Sequence, residues 1–194
     1  ELGAAWGPSG GRVQNSYLDY APLVVNGPGD LLITNNLFLG SSSIVLAATS
    51  HQSVVRNVVI TGNVHHSWDQ GNRSFFIDER RGRFSAIEDV VVENNEVDAA
   101  DANKTGTRAT RSTPLAVGAR SATIDFSQDL MFSTPIDRAA IQCWLYGSHA
   151  TALSAERLHS FLVKVHLEKA VPASASGAMV TCTVDQSSRA CPAH

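Results

Sequence analysis

A seven-residue pattern recurs along this chain and constrains its fold more than any other feature. Residues 30–36, 57–63 and 89–95 match column by column: Asp or Asn, three aliphatic residues, Thr or Glu, Asn or Gly, and finally Asn. A weaker copy occupies residues 121–127, so successive copies begin 27, 32 and 32 residues apart. A fixed period of this length is typical of solenoid proteins.

Each copy predicts a short β-strand, because β-branched and Leu residues lie between turn-forming Asp, Asn and Gly. Second strands are predicted at 43–47, 74–78 and 115–118, so one period makes one coil. Stacking the coils pairs equivalent strands in parallel and places equivalent residues in columns. Strand alternation then predicts an aliphatic interior. The inward-facing residues are predicted to be Leu31, Ile33, Val58, Ile60, Val90, Val92, Ala122 and Ile124.

The last column of the three strong copies holds Asn36, Asn63 and Asn95. Buried Asn side chains stacked in this way can hydrogen-bond one another and the turn backbone. We therefore predict an asparagine ladder. The alternative is three independent surface turns that each favour Asn.

Together with its neighbours, the 57–63 unit resembles the repeats of the pectate-lyase-like parallel β-helix superfamily. The resemblance covers about Leu23 to Phe126 and implies a right-handed parallel β-helix. That superfamily includes polysaccharide lyases, hydrolases, epimerases and phage tailspikes, so the resemblance implies a fold more than a reaction. No catalytic motif of the superfamily is found in this sequence.

The repeat stops after Phe126, and the alternation then predicts antiparallel strands at 139–146, 161–168 and 178–185. Small and turn-forming residues at 171–177 suggest a hairpin between the last two. A β-sandwich-like domain of this kind would cover the open end of a solenoid.

The sequence thus predicts an all-β protein with two parts. A short right-handed parallel β-helix occupies residues 1–127, and a small antiparallel β-sandwich-like domain occupies residues 128–194.

One outward column contains apolar residues, which leaves an exposed strip typical of a contact surface. A homotrimer axis is one explanation, and a loop formed by residues 98–113 folding over the strip is the other. The column consists of Leu32, Val59, Val91 and Thr123.

The next outward column ends in Glu93 and Asp125. Stacked strands would bring these carboxylates about 5 Å apart, a separation that resembles the acid pair of retaining glycosidases. The alternative is a pair of solvated surface acids.

A charged cluster at residues 78–83 is the candidate ligand-binding site, because guanidinium groups can grip an anionic sugar in bidentate fashion. The alternative is a surface cluster whose charges neutralise one another. Its residues are Asp78, Glu79, Arg80, Arg81 and Arg83.

His65, His66 and Asp69 do not predict a metal site, because adjacent residues of a strand point to opposite faces. We expect no metal and no cofactor. Aromatic residues able to stack on sugar rings or to cover the core are Trp6, Trp68, Tyr17 and Tyr20.

A net charge of −3 and a pI near 6.2 argue against nucleic acid as a partner. The chain has no run of about 18 apolar residues, so no membrane insertion is expected. Of the three cysteines, Cys182 and Cys191 could close a small loop in an oxidising compartment, and Cys143 is expected to be a free thiol.

The leading interpretation is a phage-type virion appendage, similar to a tailspike, that contacts host cell-surface polysaccharide. It implies a homotrimer that meets other virion proteins, on a virion or in the extracellular space. One alternative is a secreted polysaccharide lyase or glycoside hydrolase of the β-helix group. The other is a non-catalytic virion decoration protein.

Overall fold

The computed structural model describes residues 2–3, 10–50, 53–66, 75–98, 106–132, 140–147, 153–159, 161–175 and 177–187. Every regular element within these ranges is a β-strand, which confirms the all-β prediction. No described element is a helix that could span a membrane.

Twelve strands precede residue 98. They are β1 Leu2–Gly3, β2 Gly11–Gln14, β3 Tyr17–Asp19, β4 Leu23–Asn26, β5 Gly29–Thr34, β6 Leu37–Leu39, β7 Ile44–Ala47, β8 Ser53–Thr61, β9 Val64–His66, β10 Phe75–Asp78, β11 Phe84–Glu93 and β12 Glu96–Val97. Six more follow. They are β13 Arg108–Pro114, β14 Ser121–Asp125, β15 Ala140–Tyr146, β16 Leu153–His159, β17 Leu162–Leu167 and β18 Met179–Asp185.

The first twelve strands form a parallel β-helix. Strands β1, β4, β7 and β10 make the first sheet, β2, β5, β8 and β11 the second, and β3, β6, β9 and β12 the third. All described pairings within these sheets are parallel. Each successive set of three strands is therefore one coil, and equivalent strands of neighbouring coils pair.

The register follows the sequence repeat. Leu31 pairs with Val58, and Val58 pairs with Val90. The next inward column is Ile33, Ile60 and Val92, and all six side chains are buried in one core. The predicted aliphatic interior is confirmed for these three copies.

The helix has a further coil at its amino-terminal end that the repeat did not predict. Strand β2 pairs with β5, so that Val13 lies opposite Ile33. Gly11 occupies the column of Leu31 and supplies no apolar side chain. Because this position is glycine, the aliphatic columns of the repeat do not reveal the first coil.

The asparagine ladder forms as predicted. The Nδ2 atom of Asn36 donates to Oδ1 of Asn63 at 2.9 Å, and Nδ2 of Asn63 donates to Oδ1 of Asn95 at 2.9 Å. The backbone N–H of Ser16 donates to Oδ1 of Asn36 at 3.0 Å. Asn36 and Asn63 are buried, so the ladder satisfies polar groups inside the fold.

The first column of the repeat has a backbone role. Asp30, Asn57 and Asp89 have φ values of 47°, 51° and 52°, a left-handed conformation that Asn and Asp tolerate better than other non-glycine residues. The Nδ2 atom of Asn57 also donates to Oδ1 of Asp30 at 2.7 Å. This conformation accounts for the presence of Asp and Asn in this column.

The predicted fourth copy at 121–127 is wrong. Its strand, β14, pairs antiparallel with β17, so that Ile124 lies opposite Val163 and both are buried in a second core. Residues 115–118 contain no strand. The alternation at 121–125 serves an antiparallel sheet as well as a parallel one, because the side-chain period is the same.

The last six strands form two antiparallel sheets. We call β13, β18 and β15 the disulfide sheet, and β14, β17 and β16 the partner sheet. The sandwich-like arrangement was predicted, but β17 and β18 belong to different sheets and so are not a hairpin. Because β13 and β14 belong to the sandwich, antiparallel pairing begins upstream of the expected boundary at residue 127.

A disulfide bond joins Cys143 to Cys182 across β15 and β18. The prediction of a free thiol at Cys143 is therefore wrong, and so is the pairing of Cys182 with Cys191. Cys191 lies outside the described residues. The two bonded residues lie directly opposite each other in the strand register, which the sequence spacing does not reveal.

Two segments next to the sandwich close the carboxy-terminal end of the β-helix. Thr107 pairs with Val92 through Thr107 N–H to Val92 O at 3.2 Å and Val92 N–H to Thr107 Oγ1 at 3.1 Å. Phe132 is buried in the β-helix core, with its ring edge-on to Phe84. The side-chain Nε2 of Gln186 donates to Phe132 O at 2.7 Å, which ties this closure to the sandwich.

Candidate functional site

A groove of about 350 Å³ lies on the outer face of the first sheet, at the carboxyl ends of its strands. Asn26, Ala47 and Asp78 share one register position across β4, β7 and β10. The small side chain of Ala47 leaves a recess between two longer neighbours. The described residues that line the groove are Val24, Asn26, Ala47, Ala48, Asp78, Arg80 and Arg81.

The turn after β10 brings charge to this groove. Arg80 Nε lies 2.9 and 3.1 Å from the two carboxylate oxygens of Asp78, and its Nη2 lies 2.6 Å from Oδ2. The backbone N–H of Arg80 donates to Oδ1 at 3.0 Å. These hydrogen bonds lower the pKa of Asp78 to about 2. Asp78 is therefore a carboxylate at any ordinary pH.

Glu79 and Gly82 shape the turn and do not line the groove. The carboxylate of Glu79 accepts a hydrogen bond from the backbone N–H of Phe84 at 3.0 Å. A Cβ atom at Gly82 would lie 2.1 Å from the carbonyl oxygen of Ser50, so no other residue fits there. Glu79, predicted as a ligand-binding residue, acts here within the turn.

The arginines of the cluster have different surroundings. Arg80 is neutralised by Asp78, whereas Arg81 lines the groove and forms no ion pair with another described residue. Arg83 is exposed and does not line the groove, although its backbone N–H donates to Ser50 O at 3.1 Å. Of the five predicted residues, Asp78, Arg80 and Arg81 come together at the groove.

Glu93 and Asp125 are not stacked. Glu93 ends β11 in register with Thr61 and is exposed, as the repeat predicts. Asp125 ends β14 in the partner sheet, opposite Leu162, and its carboxylate accepts the backbone N–H of Ser127 at 2.8 Å. The paired site required a fourth parallel strand, which does not form. The role of either acid alone stays a prediction.

The outward apolar column lies on the second sheet. Leu32, Val59 and Val91 are in register and half-buried. Residues 108–113 belong to β13 in the disulfide sheet and do not fold over the column, and residues 99–105 lie outside the described ranges. Thr123 is not part of the column. A trimer contact at this strip stays a prediction.

The two adjacent histidines point to opposite faces, as predicted. His65 is buried and stacks on Phe38, and burial lowers its pKa to about 4. His66 is exposed, with its Nδ1 3.1 Å from Asp98. Within the described part of the chain, no group of three or more His, Cys, Asp or Glu residues could hold a metal ion.

The predicted aromatic residues divide into two sets. Tyr17 and Tyr20 are exposed on the β-helix, at the amino-terminal end of the third sheet. Trp6 and Trp68, with Asp69, lie outside the described residues. Sequence reasoning missed Asn26 and Ala47 in the groove. The register that aligns both with Asp78 is the signal that identifies them.

The chain is similar to a plant protein that is called a polygalacturonase. No protein-family model matches it. Over 139 residues, 72% of this chain, it is 30% identical to Polygalacturonase QRT3 of Arabidopsis thaliana. The chain spans about a quarter of the length of that relative, since the match covers 27% of it. This similarity and the stacked parallel sheets fit the parallel β-helix superfamily.

Proposed function

We propose that this chain is part of a glycoside hydrolase-type β-helix protein, and that the groove beside Asp78 binds an acidic polysaccharide. The relative is called a polygalacturonase, which supports a substrate of linked sugar acids. The comparison gives no support to the phage tailspike interpretation. It favours the alternative of a secreted carbohydrate-active protein.

The observation that carries the proposal is Arg81. Its guanidinium lies at a concave surface and forms no salt bridge with a carboxylate of the described residues, although its charge adds to the lowering of the Asp78 pKa. A sugar carboxylate can supply that partner, and arginine binds carboxylates through two parallel hydrogen bonds. The neighbouring Arg80 is already matched by Asp78, so Arg81 is the arginine left to meet the ligand.

Asp78 is assigned a positioning role in this proposal. A general acid must carry a proton near the working pH, and a pKa of about 2 excludes that state for Asp78. Its carboxylate instead fixes the Arg80 side chain. The groove is therefore proposed as a binding subsite, and no bond cleavage is assigned to it.

The disulfide bond supports an extracellular location. A bond between Cys143 and Cys182 requires an oxidising compartment, such as the extracellular space. An extracellular location is also where a protein meets cell-wall or cell-surface polysaccharide. The extracellular location and the polysaccharide ligand therefore belong to the same proposal.

The test is binding of the full chain to polygalacturonate, measured by affinity electrophoresis or calorimetry. We expect binding that weakens with added salt, and we expect Arg81→Gln to weaken it about tenfold, the value of one charge-assisted contact. Arg83→Gln is the matched control, since it removes the same charge outside the groove. An equal loss in both variants, or no loss in either, would contradict the assignment.

The reaction class is tested on the same substrate. A hydrolase releases new reducing ends without unsaturated sugars, whereas a lyase also produces an ultraviolet-absorbing double bond. We expect any turnover to be of the hydrolase type. Unsaturated products would favour a lyase and reject the hydrolase-type part of the proposal.

A further inference from the structure

The outer face of the second sheet carries an apolar column that is partly open to solvent. Strand register places Leu32, Val59 and Val91 in this column, one coil after another, and all three are half-buried. Arg12 begins the column in the first coil and is exposed. A shallow concavity of about 550 Å³ is lined by Leu32, Val59 and Arg12. Aliphatic side chains in a row on an outer face can mark a contact surface.

Charge alternates from coil to coil on the same face. The inward residues of the second sheet are apolar, so the charged residues of its strands lie outside. They give the successive coils net charges of +1, −1, +1 and −3. In coil order they are Arg12 in β2, Asp30 in β5, Arg56 in β8, and Glu88, Asp89 and Glu93 in β11. Arg12, Arg56 and Glu93 form no ion pair with another described residue, so their charges can meet a partner.

We propose that two copies of this chain associate through the outer faces of their second sheets, with the coil order of one copy reversed against the other. The inference goes beyond the proposed function, because this face lies outside the groove on the first sheet. A twofold axis parallel to the strands, in the plane of contact and between β5 and β8, gives this arrangement. Each first coil then lies opposite the fourth coil of the other copy, and each second coil lies opposite a third.

The reversed order matches the charges of the two copies. The first coil, at +1, faces the fourth, at −3, and the second coil, at −1, faces the third, at +1. Leu32 of one copy lies opposite Val59 of the second copy, so the apolar columns pack at the centre of the contact. Arg12 lies opposite Val91 of the second copy, and Glu93 follows two residues later, about 7 Å along the strand. The long side chain of Arg12 can reach that carboxylate.

The same charges disfavour an assembly that places equal coils at one level. A homotrimer with its axis along the β-helix would bring three first coils together and three fourth coils together. Each Arg12 would then meet the Arg12 of its neighbours, and the carboxylates of the fourth coils would also meet. Like charges side by side weaken association. The face therefore favours a reversed pair over three copies in parallel.

We expect the dimer to be weak and sensitive to salt. Each copy contributes three aliphatic side chains to the centre of the contact, whereas a stable interface uses about 20–30 residues a side. We therefore expect a dissociation constant on the order of 100 µM. Because the charges that meet lie at the surface of each copy, added salt should shift the equilibrium toward the monomer.

The experiment measures the sedimentation of the full chain from about 10 µM to about 1 mM at low salt. Arg12→Glu should weaken the dimer about tenfold, because it places a carboxylate against those of the fourth coil. Glu93→Arg should also weaken the dimer, because its guanidinium meets that of Arg12. The double variant, Arg12→Glu with Glu93→Arg, exchanges the two charges. It should restore the dissociation constant to within about threefold of that of the unmodified chain.

The matched control is Arg120→Glu, which makes the same charge reversal at an exposed arginine just before β14 in the sandwich. Its dissociation constant should equal that of the unmodified chain. Val59→Asp, at the centre of the apolar column, should leave a monomer at every concentration. An unchanged circular dichroism spectrum then shows that this variant is folded.

A monomer at the highest concentration, or a double variant that fails to regain association, would overturn the proposal. So would a trimer, or a dimer that Val59→Asp leaves intact. Arg81→Gln separates this proposal from the proposed function, because it should weaken binding of polygalacturonate without changing the dimer.

Discussion

The imidazole of His65 lies face to face on the ring of Phe38, with centroids 4.4 Å apart and ring planes 2° from parallel. Both residues are inward on the third sheet and occupy the same register position. The β-helix interior thus holds an ionisable group in an apolar stack. Burial favours the neutral form, which is why the pKa of His65 falls to about 4.

This stack predicts loss of stability on mild acidification. Between pH 6.5 and 4 the unfolded chain binds a proton at residue 65 that the folded chain does not, so the free energy of unfolding decreases as pH falls. The full effect is about 3 kcal/mol. His65→Phe should flatten this part of the profile in urea unfolding, and His66→Gln, at the exposed neighbour, should keep it. The same slope in wild type and His65→Phe would contradict the assignment.

The asparagine ladder predicts a graded loss of stability. Asn63→Ala removes the acceptor of the Asn36 backbone N–H and the donor to Ile33 O, and leaves both partners buried. We expect a loss of about 3 kcal/mol in the free energy of unfolding. Asn95→Ala should cost less, because Asn95 is partly exposed and has one ladder neighbour, Asn63, among the described residues. Equal denaturant midpoints for the two variants would contradict the role of the ladder in stability.

The disulfide predicts that Cys143→Ser destabilises the sandwich. The bond closes a loop over a sequence separation of 39 residues, and its loss should lower stability by about 2–4 kcal/mol. Cys191→Ser should leave the unfolding midpoint unchanged. Peptide mapping without reductant checks the pairing directly. A peptide joining Cys182 to Cys191 would contradict it.

Much of the β-helix could be predicted because its information is local and repeated. The columns of Val58 and Asn63 fix strand, face and turn together. Whether a strand pairs in parallel or antiparallel could not be predicted in the same way. An alternating segment such as 121–125 fits a sheet of either kind. The first coil was not predicted because its sequence lacks two features of the repeat. Gly11 occupies the position of an aliphatic residue, and Ser16 occupies the position of the ladder Asn.

The sequence predicts that charged residues cluster at the candidate site, but it does not predict which of their side chains contact one another. Sequence identified residues 78–83, but the turn decides that Arg80 faces Asp78 while Glu79 meets the backbone of Phe84. The pairing of Cys143 with Cys182 has the same origin. Both depend on how distant or turning backbone segments meet, which residue spacing alone does not specify.

The closure made by Thr107 and Phe132 restricts how a protein of this kind can lengthen during evolution. A duplicated coil inserted between existing coils would find the same columns above and below it, and its Asn would extend the ladder. A coil added after β12 would instead meet Thr107, whose hydroxyl already accepts the hydrogen bond of Val92. Growth is therefore expected by duplication of internal coils, with the last coil and its closure inherited as one unit.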